Sequence, residues 1–371
     1  MILTQCAVCA APLGLALGKK CSRCSTRYCG PACQKNHWEE GGHDKLCKKI
    51  KKGGGAEQYN AEKKYAEAVK VAADACAAET KGQTCYICTE AVHWKTKEGL
   101  VRGCSCRGTA GFAHVSCLAE QAKILLEEAE ENNLDIYPRW ARWYTCGLCK
   151  QQYHGVAYCA LGWACWKTYL GRSEEEWVWS SAMTQLGNGL CDAKHYEDAL
   201  SVREAELSML LRLGAPEGDM LVTQDNIATT LCHLGRQDEA LCIKRDVYSG
   251  RLELNGEDRR ATLIAANNYA ATLKSLNHFG EVKTLLGRMI PVARRVLGES
   301  NDVTLKMRRM YASALCRDTG ATLDDLREAV TRFEDTERVA RRVLGGGHPF
   351  TKETEGELRN ARGVLCVCES V

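Results

Sequence analysis

The sequence predicts a mainly α-helical chain in which two small cysteine-rich modules precede an α-solenoid of stacked helix pairs. Three observations carry this expectation. Fourteen of the 23 cysteines, with two histidines, fall in closely spaced sets within the first 150 of 371 residues. Modules this short bury too little apolar surface to fold unaided and need a staple. Beyond about Trp177 the cysteines thin out, helical periodicity takes over, and short strings recur at offsets of 41 to 47 residues.

Composition narrows the class. The chain is 45% hydrophobic and 26% charged, ordinary for a globular protein, and its net charge of +3 supplies no strong field for nucleic acid or an anionic membrane. The one basic run, Lys45–Leu46–Cys47–Lys48–Lys49–Ile50–Lys51–Lys52, reads as the solvated end of a module. A secreted disulfide scaffold is disfavoured, because Met1–Gln5 is too short for a signal peptide and the cysteine pairs sit at metal-ligand spacing. The most apolar stretch, Val156–Leu170, spans 15 residues and contains Lys167, too short and too polar to cross a bilayer. A soluble cytoplasmic or nuclear protein with no membrane partner is expected.

Residues 1–52 form the first module. Its candidate ligands are Cys6, Cys9, Cys21, Cys24, Cys29, Cys33, His43 and Cys47, spaced C-x2-C, eleven residues, C-x2-C, four residues, C-x3-C, nine residues, H-x3-C. Two thiolates on a C-x2-C turn reach one zinc at about 2.3 Å, and eight ligands suffice for two tetrahedral ions. His37 competes with His43, and the H-x3-C spacing favours His43. This pattern resembles a MYND finger. The resemblance implies that Cys6, Cys9, Cys29 and Cys33 share one zinc, that Cys21, Cys24, His43 and Cys47 share the other, and that the module captures short proline-containing peptides. The methyltransferase activity of some relatives is set aside, since no room remains for a SET domain.

Residues 53–83 follow. After Gly53–Gly54–Gly55, the stretch Ala56–Glu79 is rich in Ala, Glu and Lys and reads as a solvated helical spacer.

Residues 84–155 form the second module, with candidate ligands Cys85, Cys88, Cys104, Cys106, His114, Cys117, Cys146 and Cys149. The order is C-x2-C, fifteen residues, C-x-C, seven residues, H-x2-C, twenty-eight residues, C-x2-C. His93 and His154 lie outside this complete set and read as surface or supporting residues. The C-x-C, the seven-residue gap and H-x2-C resemble a RING-CH finger; a PHD finger shares the ligand order but usually has a longer second pair. The resemblance implies that Cys85, Cys88, His114 and Cys117 hold one zinc and that Cys104, Cys106, Cys146 and Cys149 hold the other. With four protein ligands each, these zinc ions are structural and leave no position for a reactive water. The resemblance further implies a ubiquitin ligase that positions a ubiquitin-charged conjugating enzyme, with Ile87 touching that enzyme and Lys150 orienting ubiquitin. The plain alternatives are local core for Ile87 and solvated surface for Lys150. Gln121 departs from the family, which commonly places a Trp four residues after the Cys117 position, and the gap before Cys146 is long.

Residues 156–371 read as the solenoid. Asn226–Ile227–Ala228 recurs as Asn268–Tyr269–Ala270 at offset 42, and Tyr196–Leu200 matches Gln237–Leu241 at offset 41. Ala293–Gly298 returns as Ala340–Gly345 at offset 47, which fits an insertion near Asp318–Thr322. One helix pair cannot bury its own apolar face, so successive pairs stack. The pattern, with Gly347–His348–Pro349–Phe350–Thr351 as an inter-repeat loop, resembles the long tetratricopeptide repeats of kinesin light chains, in about four units.

Nine cysteines remain (Cys76, Cys159, Cys165, Cys191, Cys232, Cys242, Cys316, Cys366 and Cys368), none with a neighbouring base or cation that marks a catalytic thiol. The expected function is a substrate-recruiting ubiquitin ligase with four structural zinc ions, a conjugating enzyme as partner, and peptide substrates held by the repeats or the first finger. The alternative is a non-enzymatic adaptor, favoured by Gln121. A third reading, a chromatin reader built on a PHD finger, requires an aromatic cage, for which Trp94, Trp140 and Trp143 are the available residues.

Overall fold

The computed structural model describes residues 5–11, 13 and 18–369. Among the described residues the chain forms fifteen α-helices, one two-stranded antiparallel hairpin and one 3-10 turn. It divides into two compact units, Met1–Ala215 and Pro216–Val371.

In the first unit, β1 (Lys19–Lys20) pairs with β2 (Arg27–Tyr28), and α1 (Pro31–Glu39) and α2 (His43–Lys52) complete the first finger. Next come α3 (Ala56–Thr80), α4 (Val115–Glu131), α5 (Tyr137–Trp140), the 3-10 turn Ala141–Trp143, α6 (Gly155–Tyr169), α7 (Trp177–Asp192) and α8 (Tyr196–Leu213). The organising element is α6, the apolar stretch noted above. Ala157, Cys159–Trp166 and Tyr169 are all buried on it, so it is apolar around its whole circumference. A helix of that kind is stable only when covered on every side, and α3, α4 and α7 pack around it. The contact with α7 is so close that a Cβ on Gly189 would stand 2.8 Å from the Tyr158 carbonyl oxygen.

The solvated-spacer expectation for Ala56–Glu79 is corrected. Within α3, Ala61, Tyr65, Val69 and Ala72 are buried, a stripe at helical spacing that packs on α6. The Lys167 ammonium lies 4.0 Å from the centre of the Tyr65 ring. Excess Ala and Glu hid the stripe, since alanine serves a close helix contact as well as an exposed face.

Aromatic residues fill the space between the second finger and the helices. Trp140 contacts Tyr169 and Trp177, and the Trp143 indole N–H donates to the Tyr169 hydroxyl at 3.3 Å. Trp166 meets Trp179 edge-to-face at 4.8 Å.

The α7–α8 hairpin buries a carboxylate. Glu206 is 1% exposed; its Oε1 accepts from Ser180 Oγ and Thr184 Oγ1, and Oε2 is buried without a partner. Burial raises this carboxyl from 4.5 to about 7, against the opposing pull of the two hydroxyls and Arg203. The folded chain keeps the proton to higher pH than the unfolded chain. Its contribution to stability is therefore complete below about pH 4.5 and is lost as pH rises through about 7. Glu206→Gln, neutral throughout, is expected to raise stability, and with it the unfolding midpoint, by on the order of 3 kcal/mol at about pH 8, and to leave both unchanged at about pH 4.5. Thermal melts of both proteins at the two pH values check this.

The second unit is built from α9 (Glu217–His233), α10 (Gln237–Asn255), α11 (Arg260–Ser275), α12 (Phe279–Leu297), α13 (Asp302–Arg317), α14 (Leu323–Leu344) and α15 (Pro349–Glu369). Each helix packs on its neighbour in sequence, and α11 also packs on α13, the pattern of stacked hairpins. The recurring strings occupy equivalent places: Asn226 and Asn268 lie on α9 and α11, and the Ala-Arg-Arg-Val-Leu strings end α12 and α14. Ala228, Ala240 and Ala270 are fully buried. The inserted segment near Asp318–Thr322 links α13 to α14, where Thr322 and Asp325 form a reciprocal capping box. A half-buried polar knot around the buried Lys244 ties three helices. Lys244 Nζ donates to Asp225 Oδ1 at 2.8 Å and to Thr229 Oγ1 at 2.7 Å, and Asn268 Nδ2 donates to Asp225 Oδ2 at 2.9 Å. Among the described residues, no helix is long and apolar enough to cross a membrane.

Candidate metal centres

Each C-x2-C pair folds into the same knuckle. The backbone N–H four residues after the first cysteine donates to that cysteine's carbonyl: Ala10 to Cys6, Ser25 to Cys21, Thr89 to Cys85 and Lys150 to Cys146, at 2.9–3.0 Å. Those four donors all have positive φ, between 56° and 62° at Ala10, Ser25 and Lys150 and 65° at Thr89. Lys150 therefore occupies a backbone position that the knuckle itself demands. The residue inside the pair points its amide at the first sulfur: Ile87 N–H to Cys85 Sγ and Leu148 N–H to Cys146 Sγ, both 3.4 Å.

A fifth loop has this shape without cysteine. Lys97 N–H donates to the His93 carbonyl at 2.9 Å, His93 N–H donates to Glu98 O, and Lys97 has φ 60°. His93 and Thr96 stand where the two cysteines would. Thr96 Oγ1 lies 2.8 Å from His93 Nδ1, so a hydrogen bond closes this loop. Sequence reasoning missed it because its signal is backbone geometry and not residue type.

The sixteen candidate ligands come together in four tetrads: Cys6, Cys9, Cys29 and Cys33; Cys21, Cys24, His43 and Cys47; Cys85, Cys88, His114 and Cys117; Cys104, Cys106, Cys146 and Cys149. Within each, the ligand atoms all lie within 4.8 Å of one another. A tetrahedral zinc with ordinary bond lengths separates two sulfurs by about 3.8 Å, and a sulfur from a nitrogen by about 3.5 Å. The observed values match: Cys9–Cys29 3.6 Å, Cys21–Cys47 3.9 Å, Cys106–Cys146 3.8 Å, Cys24 Sγ to His43 Nε2 3.4 Å, and Cys88 Sγ to His114 Nδ1 3.3 Å. The four cysteine/histidine clusters are zinc sites.

Local folding explains the pairing. On α2, His43, Cys47 and Ile50 share one buried face, while Lys45, Lys48, Lys49 and Lys52 are exposed on another. His37 is outside the tetrad: its Nδ1 shares a hydrogen bond with the Tyr28 hydroxyl at 3.0 Å, and its ring lies 4.8 Å from that of His43. In the second finger Glu98 caps α4 by accepting from Ser116 N–H at 2.7 Å, and so fixes the helix that carries Cys117. Gly111, at φ +84°, passes so near the fourth tetrad that a Cβ there would stand 2.6 Å from Cys106 Cβ. His154 is exposed, and its backbone N–H donates to Gly103 O at 2.7 Å just ahead of α6.

The electrostatics suit a dication. Burial lowers the proton affinity of His43 and His114 and leaves the neutral imidazole that a metal needs. Burial opposes ionisation of Cys6, but backbone N–H groups at Cys9, Cys29 and Val8 outweigh it and draw the thiol down to about 6. The hydrogen bond shared with Cys29 keeps the proton on Cys33 and pushes it up to about 12, and burial takes Cys47 to about 11. Thiolates crowded together resist further ionisation until a cation sits among them.

The remaining expected site residues fall as follows. Ile87 is half-buried and Lys150 is exposed, its Nζ donating to the Gly147 carbonyl at 2.6 Å. Leu148, in the second knuckle at the place Ile87 holds in the first, is 49% exposed. Gln121 lies on α4 one turn beyond Cys117 and is half-buried. Trp140 and Trp143 are core residues, 8% and 1% exposed, which removes them from any methyl-lysine cage; Trp94 stands 67% exposed beside His93. Burial pushes the Cys159 thiol up to about 12, consistent with an inert core cysteine.

Two family models agree with the geometry of the fingers. Residues 6–47 match the family model of the MYND finger, and residues 85–136 match that of the RING-variant domain. The second match stops short of Cys146 and Cys149, which the fold brings back to Cys104 and Cys106 across the insertion formed by α4 and α5. No curated protein matches the chain by sequence. Among solved structures, nearly identical TPR-like repeats assigned to a kinesin light chain of Podosopora anserina align at 13% identity, covering 62% of this chain and 98% of that one, with a TM-score of 0.43. BtubC (BKLC) from P. vanneervenii aligns at 11% identity over 68% of this chain and 90% of that one, with a TM-score of 0.35. The chain carries a MYND finger at residues 6–47, built on two zinc tetrads, and a RING-variant domain matched over residues 85–136, whose second tetrad is completed by Cys146 and Cys149 beyond the matched stretch.

Proposed function

We propose that the chain is a ubiquitin ligase whose second finger binds a ubiquitin-charged conjugating enzyme and holds its thioester for attack by a substrate lysine. The gain is positional and needs no covalent intermediate on the ligase. What supports this reading is the second finger: a RING-variant match, two closed tetrads, and two apolar knuckle residues, Ile87 and Leu148, in equivalent positions. Lys150 orients ubiquitin after its ammonium leaves the Gly147 carbonyl. Substrate peptides dock on the MYND finger or on the helical repeats, where a cleft of about 350 Å³ lined by Tyr269, Leu273, Thr284, Leu285 and Arg288 lies between α11 and α12. The protein works in the cytoplasm or nucleus.

The test is ubiquitin transfer by zinc-loaded protein across a panel of conjugating enzymes, with Cys85→Ser as control. Chain formation that the control abolishes is expected. Ile87→Ala and Leu148→Ala should each slow transfer about tenfold or more, the cost of one apolar anchor at an interface, while retaining all four zinc ions. Silence with every conjugating enzyme, from protein holding its zinc, would favour the second reading. That reading is a non-enzymatic adaptor, and half-buried Gln121, polar where a conjugating-enzyme groove wants an apolar wall, is the observation behind it.

A further inference from the structure

The four tetrads differ in how solvent meets them. Cys21, Cys24, His43 and Cys47 are all buried, and no ligand of the second finger is exposed. In the first tetrad only Cys6 is buried; Cys33 is half-buried, and Cys9 and Cys29 are exposed. This tetrad is also all-cysteine, so with a bound dication it carries one more negative charge than the two tetrads that include a histidine. The other all-cysteine tetrad has Cys104 and Cys146 buried and Cys106 and Cys149 half-buried, with no exposed ligand. Oxidation of a thiolate follows its electron density and its access to the oxidant, and only the first tetrad has both.

We propose that the tetrad of Cys6, Cys9, Cys29 and Cys33 is an oxidative modification site for hydroperoxides, with Cys9 and Cys29 as the reacting pair. Their sulfurs lie 3.6 Å apart on the protein surface. One thiolate attacks the terminal peroxide oxygen; the O–O bond breaks, the alkoxide (hydroxide, for hydrogen peroxide) leaves and a sulfenic acid forms. The second thiolate attacks that sulfur, the S–S bond forms and hydroxide departs. Two electrons pass from the two sulfurs to the peroxide. The tetrad is left with two thiolates and releases its ion. The knuckle at Cys6–Ala11 then keeps backbone contacts such as Ala7 N–H to Arg27 O at 3.2 Å, and the packing of Cys6 and Ala11 on the finger's small core. The buried second tetrad continues to hold α2. The first finger is thereby opened at one end under oxidant, and thiol with zinc closes it again. This inference rests on the zinc sites and is independent of ligase activity.

The experiment exposes the full zinc-loaded chain to limiting hydrogen peroxide with a chromogenic chelator present, and maps the products by peptide mass spectrometry. One zinc per chain should leave roughly tenfold faster than the rest, together with a Cys9–Cys29 crosslinked peptide, and dithiothreitol plus zinc should reverse both. Cys9→His preserves a four-ligand set and removes the disulfide partner; its first zinc should leave at the slow rate. Equal release from all sites, a first disulfide within the second finger, or fast release from Cys9→His would each overturn the proposal. If Cys9→His is purified lacking a zinc, the kinetics and peptide map of the unaltered chain decide.

Discussion

His114→Ala is expected to unfold the second finger and to release the helices mounted on it, leaving residues 216–371 folded. A structural zinc site contributes roughly 10–16 kcal/mol of binding energy that is also folding energy, set against total domain stabilities of about 5–15 kcal/mol. His114 supplies Nδ1 to the third tetrad at the residue immediately before α4. Its loss leaves three thiolates and frees Cys117 in the first turn of α4. That helix packs on α6, and α6 on α3 and α7. Circular dichroism should show loss of part of the helical signal, metal analysis should fall below four ions, and limited proteolysis should leave a fragment beginning near Pro216. His114→Cys, which restores a fourth ligand, should retain both metal and helix. Full helicity in His114→Ala would show that the helices hold without the finger.

The second large effect is expected from Trp143→Ala. Trp143 is fully buried, three residues ahead of Cys146, and its indole N–H reaches the Tyr169 hydroxyl on α6. Truncating a buried Trp costs about 3–5 kcal/mol through lost transfer energy and the cavity left behind. The side chain anchors the turn that returns the last ligand pair to Cys104 and Cys106, so zinc affinity of the fourth tetrad should fall with stability. Urea unfolding with a zinc-competition titration measures both. Trp143→Phe, which keeps most of the volume and loses the hydrogen bond, should recover most of the loss; an equal deficit in both variants would assign the effect to the hydrogen bond.

The zinc sites are legible in the sequence because a metal demands particular residue types at local spacings, and the chain states both. The helix pairs are legible because their packing repeats, so Asn226 predicts Asn268. Other features leave no such mark. The Tyr65, Val69 and Ala72 stripe of α3 is diluted among alanines that suit water and helix contacts equally. Val156–Leu170 reads as an unexplained apolar stretch until α3, α4 and α7 are seen around it. The loop at His93–Lys97 copies a zinc knuckle in backbone alone, closed by a threonine hydroxyl. Whether Cys9 or Cys21 faces solvent depends on the path of neighbouring chain, which ligand spacing does not encode.

The way α6 leaves the second finger bears on lysine choice. Tyr153 N–H donates to Tyr144 O within the finger, His154 N–H donates to Gly103 O, and α6 begins at Gly155. There is no tether. A catalytic head on a flexible leash sweeps a sphere set by the leash length and reaches any acceptor inside it. A head bolted by its own backbone to a buried helix aims at one place. For the proposed ligase, acceptor choice then becomes a property of aim within the first unit: a substrate held on the MYND finger is marked where it presents a lysine to a head that does not swing, and affinity alone does not determine which lysine is used.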